Sequence, residues 1–320
     1  MRQVLLGRTK VNISAISLGT WSYGGSNVSH GRSVGWVGQE DKDSQDALVK
    51  AWEVGINHWD TADVYGNGRS ESVIGSVWGI VPREEIFLAT KAGWDQGTHS
   101  HWYHPDYMRK KMEQSLINLK TDRVDLLYLH HCNFGNNEEY FDDAVDTLNR
   151  FQEEGKTKFT GLSDWDSYKI MTFIERANPD VVQPYRNIYD DMYSSSGLKD
   201  YIETNDLGTC FFSPLMHGLL VGKYSKPTEF PEGDFRKNIG AFKDESVINL
   251  FQQNAKKLRE RFEDHPNPIM HGVIDTLIAD LKNGCVLLGQ RNVGQVEIAA
   301  TLGIPISEND TEWVKSLYKH

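Results

Sequence analysis

Short apolar runs alternate with longer helix-forming stretches along the whole of this 320-residue chain. Eight runs have the length and β-branched content of buried strands. They cover residues 13–18, 57–61, 86–91, 124–130, 159–163, 181–183, 209–213 and 286–288. The stretches between them predict helices near 41–54, 69–78, 105–119, 140–154, 166–177, 195–205, 268–282 and 293–302. Eight strands with intervening helices are typical of an α/β protein built as a (β/α)8 TIM barrel.

We predict a single domain over residues 1–320, because no linker, composition break or internal repeat interrupts this alternation. The residues before the first run, with Gly7 at a turn, predict a short β-hairpin across the bottom of the barrel. A doubly wound sheet would instead need G-x-G-x-x-G after an early strand. The nearest segment has Gly66 and Gly68 but Glu71 at the third glycine position. We interpret Glu71 as the first charge of a helix, near its positive dipole end.

Composition narrows the class of protein and its partners. The chain has 39% apolar and 25% charged residues, as ordinary globular proteins do. A net charge of −11 argues against nucleic acid or an anionic membrane as the main partner. No apolar run approaches the roughly 18 residues of a membrane span, and the N-terminus lacks a signal-peptide pattern. Three unclustered cysteines, Cys132, Cys210 and Cys285, predict reduced thiols and a cytoplasmic location.

Four polar residues follow apolar runs where strands would end. Asp60 and Tyr65 lie in HWDTADVYG, Lys91 closes IFLATK, and His130 lies in VDLLYLHH. Each residue alone is usually a packing tyrosine, a rim charge or a core histidine. Because the carboxyl ends of parallel barrel strands meet at the face that carries active sites, we expect the four side chains to lie together.

In order and spacing these four residues resemble the Asp–Tyr–Lys–His tetrad of the aldo-keto reductases. The long first loop, with GWVGQED, resembles bacterial-type members of that family. The resemblance implies NADPH-dependent reduction of a small aldehyde or ketone, with the nicotinamide bringing the hydride. Tyr65 would be the general acid, and Lys91 would lower its pKa from the ordinary value of about 10. Asp60 would hold Lys91, and His130 would donate to the carbonyl oxygen.

Further segments resemble the family's cofactor-binding motifs, although glycine and proline there also suit ordinary loops. GLSDW implies that Ser163 binds the nicotinamide carboxamide, and Asp164 replaces the usual asparagine. Gln183 would also hold the carboxamide, and Phe212 would stack on the nicotinamide. The implied pyrophosphate contacts are Ser213, Pro214, Leu215, Gly218, Leu220 and Lys223. Gly289, Arg291 and Gln295 would hold the adenosine end, with Arg291 as a lone cation on the 2′-phosphate of NADP.

Aromatic residues in loops after strands predict the substrate pocket. Trp21, Trp36 and Trp94 would form its walls, and the loop 24–39 and the segment PEGDFR (231–236) are candidate covers. His130 lies five residues after Asp125, as the family spacing requires, but its neighbour His131 remains an alternative and a pocket residue.

Three further alternatives stay open. His99, His101 and His104 suit a solvated loop, a substrate contact or a metal, and we expect no metal site. The tetrad works in both directions, so a polyol or sugar-alcohol dehydrogenase is an alternative to a reductase. The third alternative is a barrel that binds nicotinamide cofactor and regulates another protein instead of turning over a substrate.

Overall fold

Eight parallel strands close into a barrel in a computed structural model that describes residues 1–29 and 31–319. In chain order they are β1 (Ile16–Gly19), β2 (His58–Asp60), β3 (Phe87–Ala92), β4 (Val124–Leu129), β5 (Thr157–Asp164), β6 (Val181–Pro184), β7 (Gly208–Phe211) and β8 (Gly284–Gly289). Each strand pairs with its neighbours in the chain, and β8 pairs with β1 to close the ring. The predicted TIM barrel is therefore confirmed.

The predicted hairpin at the barrel's bottom is also present. Gln3–Leu5 pairs antiparallel with Asn12–Ser14, so residue 13 belongs to the hairpin and the first barrel strand begins only at Ile16. Leu6, wholly buried, packs among the apolar side chains that fill the barrel's lower interior. Gly7 has φ +48°, and a Cβ there would lie 2.3 Å from the backbone nitrogen of Gly208, so no larger residue fits this turn.

Most predicted helices are present, with two additions and two breaks. The helices are Asp41–Glu53, Arg69–Gly75, Pro105–Leu119, Phe141–Glu153, Ser167–Ala177, Met192–Ser195, Leu198–Thr204, Glu245–Arg261, Pro268–Met270, Thr276–Ala279, Val293–Ala300 and Glu308–Ser316. The predicted helix at 268–282 is wrong as one continuous element, because a π-helical stretch, His271–Asp275, interrupts it. The predicted helix at 195–205 is two short helices.

The helix Glu245–Arg261 was not predicted, although its start is marked in the sequence. Asp244 is its N-cap, and the carboxylate accepts hydrogen bonds from the amides of Ser246 and Val247. The helix lies in the long connection between β7 and β8, after the candidate cover at 231–236. None of the helices in residues 1–29 and 31–319 is long and apolar enough to cross a membrane.

Glu71 lies in the first turn of the helix Arg69–Gly75, as we interpreted it, but its side chain is directed into the protein. Its side chain is wholly buried between the helices Arg69–Gly75 and Pro105–Leu119. Thr90 donates to one carboxylate oxygen at 2.8 Å, and Asn118 donates to the other at 3.1 Å. Burial, with the nearby charge of Asp63, raises the pKa of Glu71 to about 7.

This raised pKa predicts that stability falls as the pH rises. Below an unfolded-state pKa of about 4.5 both states hold the proton, and the full stability is present. Between there and about pH 7 only the folded state holds it, so the free energy of unfolding falls by up to about 1.4 kcal/mol per pH unit. Denaturant titrations of the wild type and Glu71→Gln between these limits should show a difference that changes with pH. Glu84→Gln, at an exposed position, is the matched control. A difference between the wild type and Glu71→Gln that does not change with pH would contradict the prediction.

Candidate active site

A cavity of about 770 Å³ opens at the carboxyl ends of the barrel strands. It gathers most of the residues that the sequence predicted for a site. They are Trp21, Trp36, Asp60, Tyr65, Trp94, His130, His131, Ser163, Gln183, Phe212, Ser213, Pro214, Leu215, Gly218, Lys223, Gly289, Arg291 and Gln295. Lys91, Asp164 and Leu220 do not line this cavity, and each lies behind its wall.

The centre of the site is a buried ion pair under a tyrosine. Lys91, at the end of β3, donates to the carboxylate of Asp60, at the end of β2, and both side chains are 1% exposed. The ammonium also donates to the carbonyl of Thr61 at 2.8 Å and to the hydroxyl of Tyr65 at 3.3 Å. Each of the three N–H groups of the ammonium therefore has an acceptor, and one of these acceptors is the phenol oxygen.

The chain after β2 is shaped so that Tyr65 reaches back over this ion pair. Gly66 follows with φ +60°, and a Cβ there would lie 2.2 Å from the carbonyl oxygen of Gly24. This close approach of two backbones requires glycine. On the cavity side the Tyr65 ring stacks on Trp21, with ring centroids 6.0 Å apart. Tyr65 is thus held between the first loop and Lys91.

The pKa of Tyr65 is shifted in the direction opposite to our expectation. Burial raises the pKa of Tyr65, and the charges of Asp60 and Asp63 act in the same direction. Lys91 opposes this rise, as predicted, but does not outweigh it. Burial raises the pKa of Asp60 as well, against the opposing effect of Lys91. In this structure Tyr65 is therefore a neutral phenol near neutral pH.

Two histidines lie side by side after β4, the strand that pairs with the Lys91 strand β3. The rings of His130 and His131 are parallel to within 5°, with centroids 4.9 Å apart, and the His130 ring meets the Tyr65 ring edge-on at 5.9 Å. Burial lowers the pKa of both, that of His131 to about 3, so both are neutral near pH 7. His130 is the nearer to Tyr65, whereas His131 packs against Trp94 at 4.4 Å. The preference for His130 stays a prediction.

A polar and aromatic patch lies beside the ion pair. Gln183 donates to the free oxygen of Asp60 at 2.8 Å, and Ser163 is its register partner on β5. Phe212 lies next to them, edge-on to Trp165 at 4.9 Å. These groups fit a planar amide-bearing ring, because they offer hydrogen bonds beside an aromatic surface.

Asp164 stands where the family usually has an asparagine, and its carboxylate binds backbone groups of the protein. Its carboxylate accepts hydrogen bonds from the backbone amides of Cys132 at 2.8 Å and Asp166 at 2.9 Å. A carboxylate occupied in this way fastens the loop after β4 to β5. We assign Asp164 to loop positioning, and its predicted contact with a cofactor is not supported by this geometry.

We expected the loop after β7 to contact the pyrophosphate of the cofactor, but two of its backbone amides are hydrogen-bonded within the loop. The amides of Gly218 and Leu220 both donate to the carbonyl of Leu215, at 3.0 and 3.2 Å, so neither is directed at a ligand in this structure. Leu220 belongs to the buried core. Ser213 and His217 have left-handed backbones, with φ of 56° and 58°, in a stretch where such strain often marks a functional segment.

The far end of the cavity is cationic, and Arg291 is not alone there as we had expected. Arg291 donates to the side chain of Gln39 at 2.8 Å and to the carbonyl of Val37 at 2.9 Å. Burial, and next the like charge of Arg236, lowers the pKa of Arg291. Lys223 also lines this end. The carboxylate of Asp234 pairs with the Arg236 guanidinium at 2.7 Å, so the positive charge available to an anion here comes mainly from Arg291 and Lys223.

Two long loops meet over the cavity, as their length suggested. The amide of Phe235 donates to the carbonyl of Gly35 at 2.8 Å, and the amide of Asn27 donates to that of Gly233 at 3.2 Å. The Phe235 ring packs on Trp21 with centroids 4.8 Å apart, and the Arg236 guanidinium lies over Trp36 at 4.7 Å. Both candidate covers are therefore part of one roof.

Several cavity residues were not predicted. His217, Phe235 and Arg236 line the cavity, but only the PEGDFR segment gave a signal, and it indicated a lid rather than individual side chains. The loop histidines His99 and His101 lie outside the cavity wall, against Tyr107 and Tyr140 respectively. Nothing in their spacing distinguishes them from a packed loop.

Comparison with known proteins agrees with this arrangement. The profile of the aldo/keto reductase family matches residues 15–319. L-Galactose dehydrogenase from Arabidopsis thaliana is 29% identical over 300 residues, which cover 91% of this chain and 85% of that protein. L-Glyceraldehyde 3-phosphate reductase from Escherichia coli K12 is 28% identical over 306 residues, covering 91% and 84% respectively.

The fold has close structural counterparts. Glycerol dehydrogenase from Gluconobacter oxydans superposes with a TM-score of 0.81 at 24% identity, covering 98% of this chain and 94% of that one. At that identity the likeness concerns the barrel fold alone. Together with the family match, the closed barrel establishes that this chain belongs to the aldo/keto reductase family and is an NAD(P)H-dependent oxidoreductase.

Proposed function

We propose that this enzyme reduces a small aldehyde or ketone to the alcohol with NADPH, and that Tyr65 supplies the proton. The observation that carries the proposal is the contact of 3.3 Å between the Lys91 ammonium and the Tyr65 hydroxyl, at the wall of the cavity. Asp60 and the carbonyl of Thr61 hold the ammonium in place from behind.

The proton transfer requires a phenol that stays protonated until the alkoxide forms. Burial keeps Tyr65 neutral in the resting state, which suits a general acid. As negative charge develops on the substrate oxygen and the proton leaves Tyr65, Lys91 stabilises the phenolate that remains. In the reverse reaction the same phenolate would accept the proton of an alcohol.

His130 is the proposed donor to the substrate oxygen. A neutral imidazole has one N–H to donate, and burial keeps this ring neutral. Its Nδ1 is buried and has no hydrogen-bond partner among residues 1–29 and 31–319, so no protein group there competes for that ring nitrogen. His131 would then shape the pocket beside Trp94.

The cavity fits a nicotinamide dinucleotide along its length. The nicotinamide supplies the hydride when it is bound. Ser163 and Gln183 would hold its carboxamide, and Phe212 would support the ring. At the other end Arg291 and Lys223 would bind the phosphates, and the guanidinium of Arg291 favours the extra phosphate of NADP.

The substrate chemistry is set by the aromatic walls. Trp21, Trp36 and Trp94 surround the opening above Tyr65, and Asn67 and Asp95 also line it. Indole rings favour apolar or aromatic carbonyls or the face of a sugar ring.

The second candidate is oxidation of a polyol or sugar alcohol. The polar Asn67 and Asp95 beside the indole rings favour it, because they can bind hydroxyl groups. Rates in both directions at neutral pH, over a matched panel of aldehydes and polyols, decide between the two. Turnover far below ordinary enzymatic rates in both directions would instead favour a regulatory barrel.

Removing the phenolic hydroxyl should abolish most activity. We expect Tyr65→Phe to lower kcat for 4-nitrobenzaldehyde about 10²–10⁴-fold, because only general acid catalysis is lost. NADPH binding should stay nearly unchanged. Tyr140→Phe, whose hydroxyl bonds to Ser100 outside the cavity, is the matched control. Steady-state kinetics decide, and wild-type turnover by Tyr65→Phe would refute the assignment.

Removing the ammonium should change the pH profile as well as the rate. In Lys91→Met the phenolate loses its stabilising charge, so the alkaline pKa in the profile of alcohol oxidation should rise by about 1–3 units. Lys158→Met, which breaks an ion pair with Asp125 at the other end of the barrel, should leave the profile unshifted. An unshifted profile in folded, cofactor-binding Lys91→Met would assign Lys91 a structural role only.

Cofactor preference should depend on Arg291. A charge-assisted contact with the 2′-phosphate contributes roughly 1.5–3 kcal/mol, so Arg291→Ala should weaken NADPH binding about ten- to a hundredfold. NADH binding should change little. Titrations that follow quenching of tryptophan fluorescence measure both, with Arg109→Ala, a surface residue paired with Glu154, as control. Equal losses for the two cofactors, or tighter NADH binding in the wild type, would place the phosphate elsewhere.

A further inference from the structure

One polar cluster inside the barrel has no part in the chemistry described above. It consists of Ser17, His58, Cys210 and Cys285, all wholly buried, and we name it the lower cluster. The four residues come from β1, β2, β7 and β8, which are consecutive neighbours in the barrel. His58 precedes Asp60 by two residues on β2, so the lower cluster lies one layer beneath the catalytic ion pair.

The donor atoms of the lower cluster converge on one point. The two sulfur atoms are 3.4 Å apart, and the sulfur of Cys285 lies 3.7 Å from Nδ1 of His58. These two sulfurs and a ring nitrogen all lie within 4.8 Å of one another. The hydroxyl of Ser17 contacts the same nitrogen, Nδ1 of His58. Cys210 and Cys285 are register partners on adjacent strands, so their side chains point to the same side.

We propose that the lower cluster is a tetrahedral binding site for a zinc-type divalent cation. Zinc bonds of about 2.3 Å to sulfur and 2.1 Å to nitrogen place two sulfurs about 3.8 Å apart, and a sulfur and a nitrogen about 3.6 Å apart. The observed separations of 3.4 and 3.7 Å are close to both values. Two cysteines and one histidine supply three ligands, as in zinc sites that keep an open fourth position, and the Ser17 hydroxyl lies beside Nδ1 of His58.

Charge balance supports a divalent cation at this depth. The lower cluster packs among apolar side chains such as Leu6, Phe87 and Val181, where a net charge would be costly. Binding M²⁺ releases the two thiol protons, and the cation with two thiolates and a neutral imidazole is neutral. The nearest ammonium, Lys91, is already paired with Asp60.

Nδ1 of His58 is hydrogen-bonded to the Ser17 hydroxyl, and a metal bound at Nδ1 would replace that hydrogen bond. The alternative interpretation is a core of thiols and one histidine that packs as it stands. Neither the sequence spacing nor the cysteine count predicted a metal here, because the ligands are brought together only by the barrel's closure.

Cobalt substitution tests the site directly. The full chain, unfolded with chelator and reductant and then refolded with a single equivalent of Co²⁺, should show thiolate-to-cobalt charge-transfer absorption in the near ultraviolet. It should also show strong visible ligand-field bands of tetrahedral Co²⁺, and added Zn²⁺ should displace the cobalt and remove both. Refolding in the presence of the metal ensures that burial of the site does not prevent loading.

Variants then identify the ligands. Cys285→Ala, Cys210→Ser and His58→Phe should each lose the bands, whereas Cys132→Ser, a buried thiol outside the lower cluster, should keep them. Circular dichroism verifies that each variant folds. The proposal is overturned if the refolded wild type shows no thiolate–cobalt bands, or if the bands persist in folded Cys285→Ala. These readouts do not depend on catalysis, so they stand or fall separately from the proposed function.

Discussion

The ion pair of Lys91 and Asp60 is the interaction around which the site is organised. Both side chains are 1% exposed, so each charge has lost its contact with water and needs hydrogen-bond partners inside the protein. Removing one partner of such a pair leaves the other charge buried and unpaired, which costs roughly 3–5 kcal/mol. The carbonyl of Thr61 and the amide of Gln183 provide the remaining hydrogen bonds. Since these groups come from β2, β3 and β6, the pair requires the closed barrel. The same pair fixes the ammonium beneath Tyr65.

Above this pair the protein builds its pocket from loops rather than from strands. The roof joins the first loop to the segment after β7 through backbone hydrogen bonds and through the packing of Phe235 on Trp21. The segment between Ser213 and Gly218 has several left-handed residues, and its amides are used internally. Strands thus hold the buried ion pair, whereas the loops cover the cavity.

The residues that the sequence identified best are those whose position follows from strand order. Asp60, Lys91 and His130 each follow an apolar run, and parallel strands place such residues at one end of a barrel. No comparable sequence pattern indicates where a carboxylate side chain is directed once it is buried. Glu71 lies in the first turn of a helix as expected, but neither its burial nor the donors around it, nor those around Asp164, could be predicted from the sequence. Arg236 was missed for the same reason: its approach to Arg291 joins residues 55 positions apart.

By itself the sequence determined the barrel, the hairpin beneath it and the set of side chains at its upper end, because periodicity and strand order are local properties of a chain. The tertiary structure decided the sign of the shift in the pKa of Tyr65, since burial outweighs the nearby ammonium only in the folded site. It also decided that two loops far apart in sequence close over the cavity. The convergence of Ser17, His58, Cys210 and Cys285 likewise appears only when β8 pairs with β1, because no sequence pattern spans residues so widely separated.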